Sequence, residues 1–462
     1  MTTALLWIGL PLLAAVLLWL LQARRYLTLF AAAAISFVLM FLAWVMPVDS
    51  AVKLGPVSLE LSSTLAILGR RFVLTGANRP LIMLIFGLGG FWFLSGLVVS
   101  VHRFFAPLGL AMIALLVAAV AVEPFLYSAL LVEMAVLVSI PLLSPPGRRV
   151  GKGVLRYLTF QTMAMPFILF AGWVFGGVEI NPADRNLLVQ SVVLLGLGFA
   201  FWLGVFPLYT WIPLMSEEVS PITAGFVLSL LTSVILILSL DFMNGFPWLW
   251  QYPFLATALR LMGVLMAATG GAWAIFERNL NRLLGYAVII ESGYALLALS
   301  LGSGIGLELF AMLFLPRLLA LLLWSTALHL LAEGGVLNFE DADGLLFRKP
   351  FAAMALLLAC FSMGGLPLLA GFPLRLSLLQ SISVESTSIA LWSALGSLGL
   401  LLGAGRTLFH MVKGQEKIQA GSGWLQNIFL LTGSIFLALI GIFPGLFLPA
   451  MLALLDSFSR LR

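Results

Sequence analysis

The chain has 462 residues, of which 62% are hydrophobic and only 9% charged, and its mean hydropathy is +1.13. That composition excludes an ordinary soluble domain and suits a bundle of membrane-spanning helices. Lys and Arg outnumber Asp and Glu by 24 to 19, too sparse a charge for nucleic acid, which is not expected as a partner. The single cysteine (Cys360) excludes internal disulfides, and the scattered histidines His102, His329 and His410 show no metal-ligand spacing. No Gly-rich loop follows a strand signal, so no cofactor is expected.

In chain order, the first apolar stretch, Ala4–Leu21, lacks a preceding positive charge and is followed by Arg24 and Arg25, which favours a retained helix over a signal peptide. A window of about 19 residues yields about fourteen spans. They lie near 4–21, 27–46, 80–100, 105–122, 124–143, 154–177, 187–209, 220–241, 254–276, 282–301, 306–331, 351–379, 388–409 and 427–455. The chain reads as one membrane domain of all-α class. Residues 1–100 supply three helices, 105–241 a first repeat, 254–409 a second and 427–455 a last helix. The longest polar interval, Pro47–Arg79, predicts a short hairpin and a surface helix ending at Arg70 and Arg71.

Alternate loops, beginning after the first span, carry Arg24, Arg25, Arg103, Arg148, Arg149, Lys152, Arg156, Arg278, Arg282, Arg348, Lys349, Arg406, Lys413 and Lys417. The other set carries Lys53, Arg70, Arg71, Arg79, Arg185, Arg460 and Arg462. The positive-inside rule places the first set in the cytoplasm and both termini outside, in a prokaryotic-type inner (plasma) or energy-transducing membrane.

The stretch Ser362–Arg375, SMGGLPLLAGFPLR, sets an arginine deep in an apolar span. That costs roughly 2.5–3.5 kcal/mol, so Arg375 needs a partner, water or a task. Pro367 and Pro373 lack a backbone donor and predict a broken helix, which is tolerated at membrane depth only beside protein or a wet cavity. Phe199–Pro213, FAFWLGVFPLYTWIP, is interrupted in the same way five spans earlier. Two such breaks are what a pair of five-helix repeats produces, and they point at a transport site. A kinked packing helix whose arginine snorkels is the plainer alternative.

Three segments resemble one family. RLLGYAVIIESGY (Arg282–Tyr294) is similar to KRLLAYSSIAHMGY of the proton-translocating antiporter-like subunits of respiratory complex I and of Mrp-type cation/proton antiporters. Ser362–Arg375 resembles SLAGIPPLAGFWGK, nearest to the N-type subunit of complex I. Phe199–Pro213 followed by PITA (Pro221–Ala224) resembles FAIKxPxxPFHTWLP followed by PVSA. The motifs stand in family order across about spans four to thirteen.

The resemblance implies two inverted five-helix repeats with broken helices 7 and 12 and a charged axis through mid-membrane. The family's fifth-helix glutamate falls on Glu133 and its twelfth-helix lysine on Arg375. The seventh-helix lysine falls on Trp202, the following motif's histidine on Tyr209, the eighth-helix lysine near Thr232, and the span-ten histidine on Glu291. Lysine can release a proton when buried; arginine, tryptophan and threonine cannot. These departures question conduction by the family's route.

Further intramembrane charges suggest a modified axis. Arg317 lies mid-span beside Pro316, with Glu291 and Glu308 as expected counter-ions. His329 and Glu333, at i and i+4, fit a relay on one helix face, although His329 equally fits an interface residue satisfied by a carbonyl. Arg260 reads as a snorkelling side chain, Glu123 as a helix cap, Glu217 and Glu218 as solvated. Trp44, Trp211, Trp248, Trp250 and Trp424 read as interface anchors.

The proton pathway expected is therefore Glu133, Glu291, Arg317, His329, Glu333 and Arg375, with Trp202, Tyr209 and Thr232 as degenerate positions. The expected function is translocation of protons or monovalent cations, as a membrane subunit of a complex I-like assembly whose redox chemistry sits in partner subunits. Two alternatives stay open. One is a structural antiporter-like subunit that has lost conduction; the other is a subunit of an inorganic-carbon uptake or hydrogenase-type complex. The expected partners are other membrane subunits of such an assembly and the lipid bilayer.

Overall fold

Hydrocarbon offers no partner to backbone N–H and C=O groups, so long apolar segments close their hydrogen bonds internally as helices. In a computed structural model, every residue is described except 1, 50, 55–56, 68, 148, 181–184, 247–248, 251–252, 303, 334, 336, 414–422 and 462. The side chains of 51–60, 176–185 and 253 are also outside the description, so Arg148, Trp248, Lys417 and Arg462, and the side chains of Lys53 and Arg185, are not placed.

The described helices are, in order, α1 (Leu10–Leu20, entered through a π-turn at Leu5–Gly9), α2 (Arg25–Val45), α3 (Arg79–Val98), α4 (Phe105–Ala121), α5 (Ser128–Leu143), α6 (Lys152–Ile180) and α7 (Arg185–Leu203). They continue as α8 (Trp211–Glu218), α9 (Pro221–Gly245), α10 (Pro253–Phe276), α11 (Leu280–Ser300), α12 (Ile305–Leu331) and the short α13 (Leu345–Arg348). The last are α14 (Pro350–Gly364), α15 (Gly371–Glu385), α16 (Thr387–Val412), α17 (Trp424–Ile442) and α18 (Pro444–Leu452).

Among the described residues, 11 helices are long and apolar enough to cross a membrane, or up to 12 if a bent pair counts as one span. The shortfall from fourteen has local causes. The first and fourth expected spans form helices too short for the span criterion, Leu5–Leu20 and Phe105–Ala121. The expected span 351–379 divides into α14 and α15, each too short alone; 427–455 also divides, at Phe443–Pro444, but its first part, α17, is among the eleven.

The all-α expectation also needs correction. Ala51–Leu54 (β1) pairs antiparallel with Val57–Glu60 (β2), and Thr64–Ile67 (β3) with Arg70–Val73 (β4). Val122–Glu123 (β5) adds to β4, with Arg71 opposite Glu123. Arg70 and Arg71 thus lie on a strand and not on a surface helix; the alternation of Thr64–Val73 wins over its short amphipathic stretch. Glu123 caps no helix but faces Arg71 at 3.8 Å.

α9 and α11 are buried on nearly every side, whereas α17 leaves most of its surface outward. Glycines set the closest approaches: Gly271 of α10 touches the backbone of Gly396 and Gly399 of α16, and Gly263 touches Gly293 of α11. Such small-residue contacts let membrane helices gain van der Waals packing. The junction of α11, α12, α14, α15 and α16 is where the scarce buried charges meet.

Candidate functional site

The break after α14 is a built feature. α14 ends at Gly364; Gly365 takes the left-handed conformation (φ +83°), its N–H donates to the Ser362 carbonyl at 3.1 Å, and the Leu366 N–H donates to Phe361 at 2.9 Å. This is the Schellman closure, which needs glycine and uses up carbonyls the helix end leaves free. The chain restarts at Gly371, and Pro373 sits in the first turn of α15, where its missing N–H costs nothing. Of the two prolines, only Pro367 lies in the break itself.

Arg375 turns back into this break. Its Nη2 donates to the Met363 carbonyl, at the electronegative end of α14, and to the Glu291 carboxylate of α11. Its Nη1 donates to Ser397 Oγ of α16, and the guanidinium lies 4.3 Å from the ring centre of Tyr294. The Tyr294 hydroxyl bonds Ser397 Oγ at 2.5 Å and donates to the Ser393 carbonyl at 2.9 Å. Arg375 and Glu291 are 4% and 6% exposed, so this ion pair is held away from the lipid. The glycines make the room: a Cβ on Gly365 would press on Arg375 Cδ, and one on Gly371 on the Ser362 carbonyl.

Arg317, 3% exposed on α12, is the second buried cation. Its Nη2 donates to Thr232 Oγ1 of α9 at 2.6 Å and reaches Ser292 Oγ at 3.4 Å, while its Nε has no partner among the described residues. The expected pairing with Glu291 and Glu308 is corrected: Glu291 bonds Arg375, and Glu308 lies exposed in the first turn of α12. Arg317, Arg375 and Glu291 nevertheless line one cavity of about 10 Å³, about the room of a single water. Two guanidinium groups and one carboxylate thus border the same void, and the carboxylate pairs with Arg375.

The other expected residues fall elsewhere. Glu133, half-buried on α5, accepts a hydrogen bond from Thr162 of α6 at 2.8 Å, and its second oxygen has no partner among the described residues. Trp202 is 1% exposed and sets its ring edge-on to Phe199; its carbonyl accepts from Gln161 Nε2 at 3.0 Å. Tyr209 is buried beside Phe206. Thr232 holds Arg317 and donates to the Leu228 carbonyl, so the eighth-helix position is polar in use.

His329 is buried at the end of α12, its Nε2 3.5 Å from Ser100 Oγ. The i, i+4 relay is corrected, because α12 ends at Leu331 and Glu333 follows it with φ +51°. Glu333 pairs instead with Lys349 Nζ at 3.3 Å. Both still border a cavity of about 300 Å³, with Ser100, Lys349 and Gln426.

Several side chains prove tied where a freer role was expected. Arg260 pairs with Glu385, Glu217 binds Arg282 at 2.6 Å, and Glu218 accepts from the Gly153 N–H at the start of α6 at 2.7 Å. Trp211 is buried against Tyr157, unlike the exposed Trp44 and Trp424.

Sequence reasoning missed Tyr294, Ser397, Ser292, Gln161 and Lys349. Tyr294 and Ser292 stand three residues and one residue from Glu291 in the ESGY motif, a usable signal. Ser397 sits in an unremarkable run of α16, and only the fold brings it to Arg375.

Fold and site together define a polytopic α-helical membrane protein with an interrupted helix closed around a buried ion pair. Residues 158–401 match the family described as NADH:quinone oxidoreductase/Mrp antiporter, TM, and the chain belongs to that family. It is 30% identical over 202 residues to NADH-quinone oxidoreductase subunit N 2 of Solidesulfovibrio magneticus, covering 43% of this chain and 42% of that one. It is 28% identical over 327 residues to NADH-quinone oxidoreductase subunit 14 of Thermus thermophilus, covering 68% and 73%. The chain spans about half the length of the curated relatives it matches first. In fold it is similar to a chain of the Mrp complex from Dietzia sp., with a TM-score of 0.82, 16% identity and coverage of 99% and 97%.

Proposed function

We propose that this chain is an antiporter-like membrane subunit of a complex I-like assembly, moving protons or monovalent cations in response to redox work in partner subunits. The observation that carries the reading is the Glu291–Arg375 pair inside the α14–α15 break. A buried ion pair is a poor way to gain stability, and an intramembrane charge is functional by default. Two guanidinium groups beside one carboxylate leave a positive excess, so a proton taken up by Glu291 removes the counter-charge of Arg375 and its release restores the pair. Glu291 is the group that exchanges the proton, since neither arginine releases one at physiological pH.

The finer expectations belong to this reading. Two inverted repeats are supported by the matching closures at the two breaks: Gly204 and Val205 donate to Phe201 and Ala200 after α7 as Gly365 and Leu366 donate to Ser362 and Phe361 after α14; the count of fourteen rests on hydropathy. Orientation with both termini non-cytoplasmic rests on the distribution of Lys and Arg. The homologous neighbours would sit against the exposed apolar face of α5, Leu130, Met134 and Leu137.

One observation favours a second reading, a subunit that kept the fold without conduction. Trp202, held by Gln161, fills the first break with apolar packing. Proteoliposomes of the assembled complex decide between the two when electron transfer and proton uptake are recorded together. Translocation predicts that Arg375→Gln keeps electron transfer but loses uptake. Uptake equal to wild type in both Arg375→Gln and Glu133→Gln leaves the scaffold reading.

A further inference from the structure

Five helix ends gather around the cavity of about 300 Å³ beside His329: α3 and α12 finish there, while α2, α14 and α17 begin. A chamber among helix ends lies at the depth of lipid headgroups. On α14 and α17 its lining turns from polar to apolar within about one helical turn, from Lys349 to Ala352 and from Gln426 to Leu430. Beyond the cavity, Leu425, Ile428 and Leu431 carry that apolar wall onto the exposed face of α17.

The polar part of the chamber is built mostly of donors. Lys349 Nζ donates to the Leu330 carbonyl at 2.8 Å and to Glu333 at 3.3 Å, two of its three N–H groups. Lys349 gives the start of α14 no side-chain cap, so that first turn keeps N–H groups the helix itself cannot bond. Arg25 Nη2 donates to the carbonyl of Val99, on the cavity wall, at 2.9 Å, and its Nε has no partner among the described residues. His329 is 4% exposed; its Nε2 stands 3.5 Å from Ser100 Oγ, and its Nδ1 has no partner among the described residues. With Ser100 donating to Nε2, Nδ1 carries the hydrogen and lacks an acceptor. One residue on the cavity border is acidic, Glu333, and its side chain is 82% exposed.

Cationic and neutral donors around an uncapped helix start take an anion. A soluble anion would leave the apolar half of the chamber wet, whereas a lipid fills both halves. We infer that this cavity holds the phosphodiester headgroup of an anionic phospholipid, seated between α3, α12, α14 and α17. Lys349, His329 Nδ1 and the first turn of α14 donate to the phosphate oxygens. The acyl chains lie along Leu430 and the outward face of α17. This site is independent of the translocation reading, because it binds a lipid whether or not the chain moves an ion.

Photo-crosslinking tests the site in the assembled complex, reconstituted in vesicles of digalactosyl-diacylglycerol, a lipid without phosphate. The probe is phosphatidylglycerol at trace level with a diazirine beside its glycerol headgroup, and the labelled segments are read by mass spectrometry. The expected result is labelling around Ser100, His329 and Gln426 that falls about tenfold in Lys349→Gln, the loss of one charge-assisted contact. Labelling of the exposed face of α6 at Phe170 and Trp173 stays unchanged. A galactolipid with the same diazirine is expected to mark α6 and leave the cavity unmarked. Should Lys349→Gln fail to assemble, Ser100→Trp keeps the Lys349 contacts, fills the cavity from its rim and carries the same comparison. Equal labelling of the cavity by both probes, or no fall in either variant, overturns the site. Inorganic phosphate that removes the label as fully as unlabelled phosphatidylglycerol at equal concentration would make this a site for a soluble anion and overturn the lipid assignment.

Discussion

The two interrupted helices close in the same way and are filled in opposite ways. After α7, Gly204 (φ +60°) donates to the Phe201 carbonyl and Val205 to that of Ala200; after α14, Gly365 and Leu366 repeat the pattern. One carbonyl stays free in the same place in each closure. In the first it belongs to Trp202 and takes a neutral amide from Gln161; in the second it belongs to Met363 and takes the Arg375 guanidinium. One backbone solution thus serves an apolar packing site and a charged centre. The difference lies in the side chain that reaches the free carbonyl.

The comparison breaks most severely at the ion pair. Arg375→Leu strands Glu291 without its partner and is expected to cost about 3–5 kcal/mol, read as a lowered thermal midpoint in detergent, with Arg375→Leu/Glu291→Leu recovering much of it. Failure of the double variant to recover would mean that Arg375 acts mainly through Met363 and Ser397. Next come the paired glycines. Gly204→Ala and Gly365→Ala each force a left-handed residue and lose about 1–2 kcal/mol, but only Gly365→Ala also displaces Arg375 and is expected to lower proton uptake. Equal uptake in both variants would erase the distinction.

Gln161→Leu sharpens it from the other side. It leaves the Trp202 carbonyl unmet for about 1–3 kcal/mol of stability, with uptake per assembled complex unchanged. The smallest effect serves as a control outside the membrane, where His410 Nδ1 lies 2.7 Å from Asp343 and holds its carboxyl below the usual range. A depressed folded value stabilises above the ordinary aspartate pKa, near 3.9, and the gain disappears as pH falls below it. Asp343→Asn should therefore differ from wild type in thermal midpoint at neutral pH and converge with it in acid.

Much of the second break was legible because its signals are local. Gly364, Gly365, Pro367 and Arg375 lie within one apolar run, and a cation there demands a partner. Glu291 was expected beside Arg317; that it pairs with Arg375 was not legible, since it depends on α11 and α15 meeting through packing. Glu333 misled because helical spacing was extended two residues past the true end of α12. Residues 47–79 misled because a short amphipathic stretch fits both a helix and a hairpin strand. Trp202 was readable as a lost lysine, but not as a buried residue whose backbone carbonyl is held by Gln161 from another helix.

The central claim is that the second break works while the first only packs. It is tested most directly by redox-driven proton uptake into vesicles holding the assembled complex with either Glu291→Gln or Trp202→Phe. The account predicts that Glu291→Gln loses uptake with electron transfer retained, while Trp202→Phe matches wild type. Normal uptake with Glu291→Gln, or an equal loss in both variants, would contradict it.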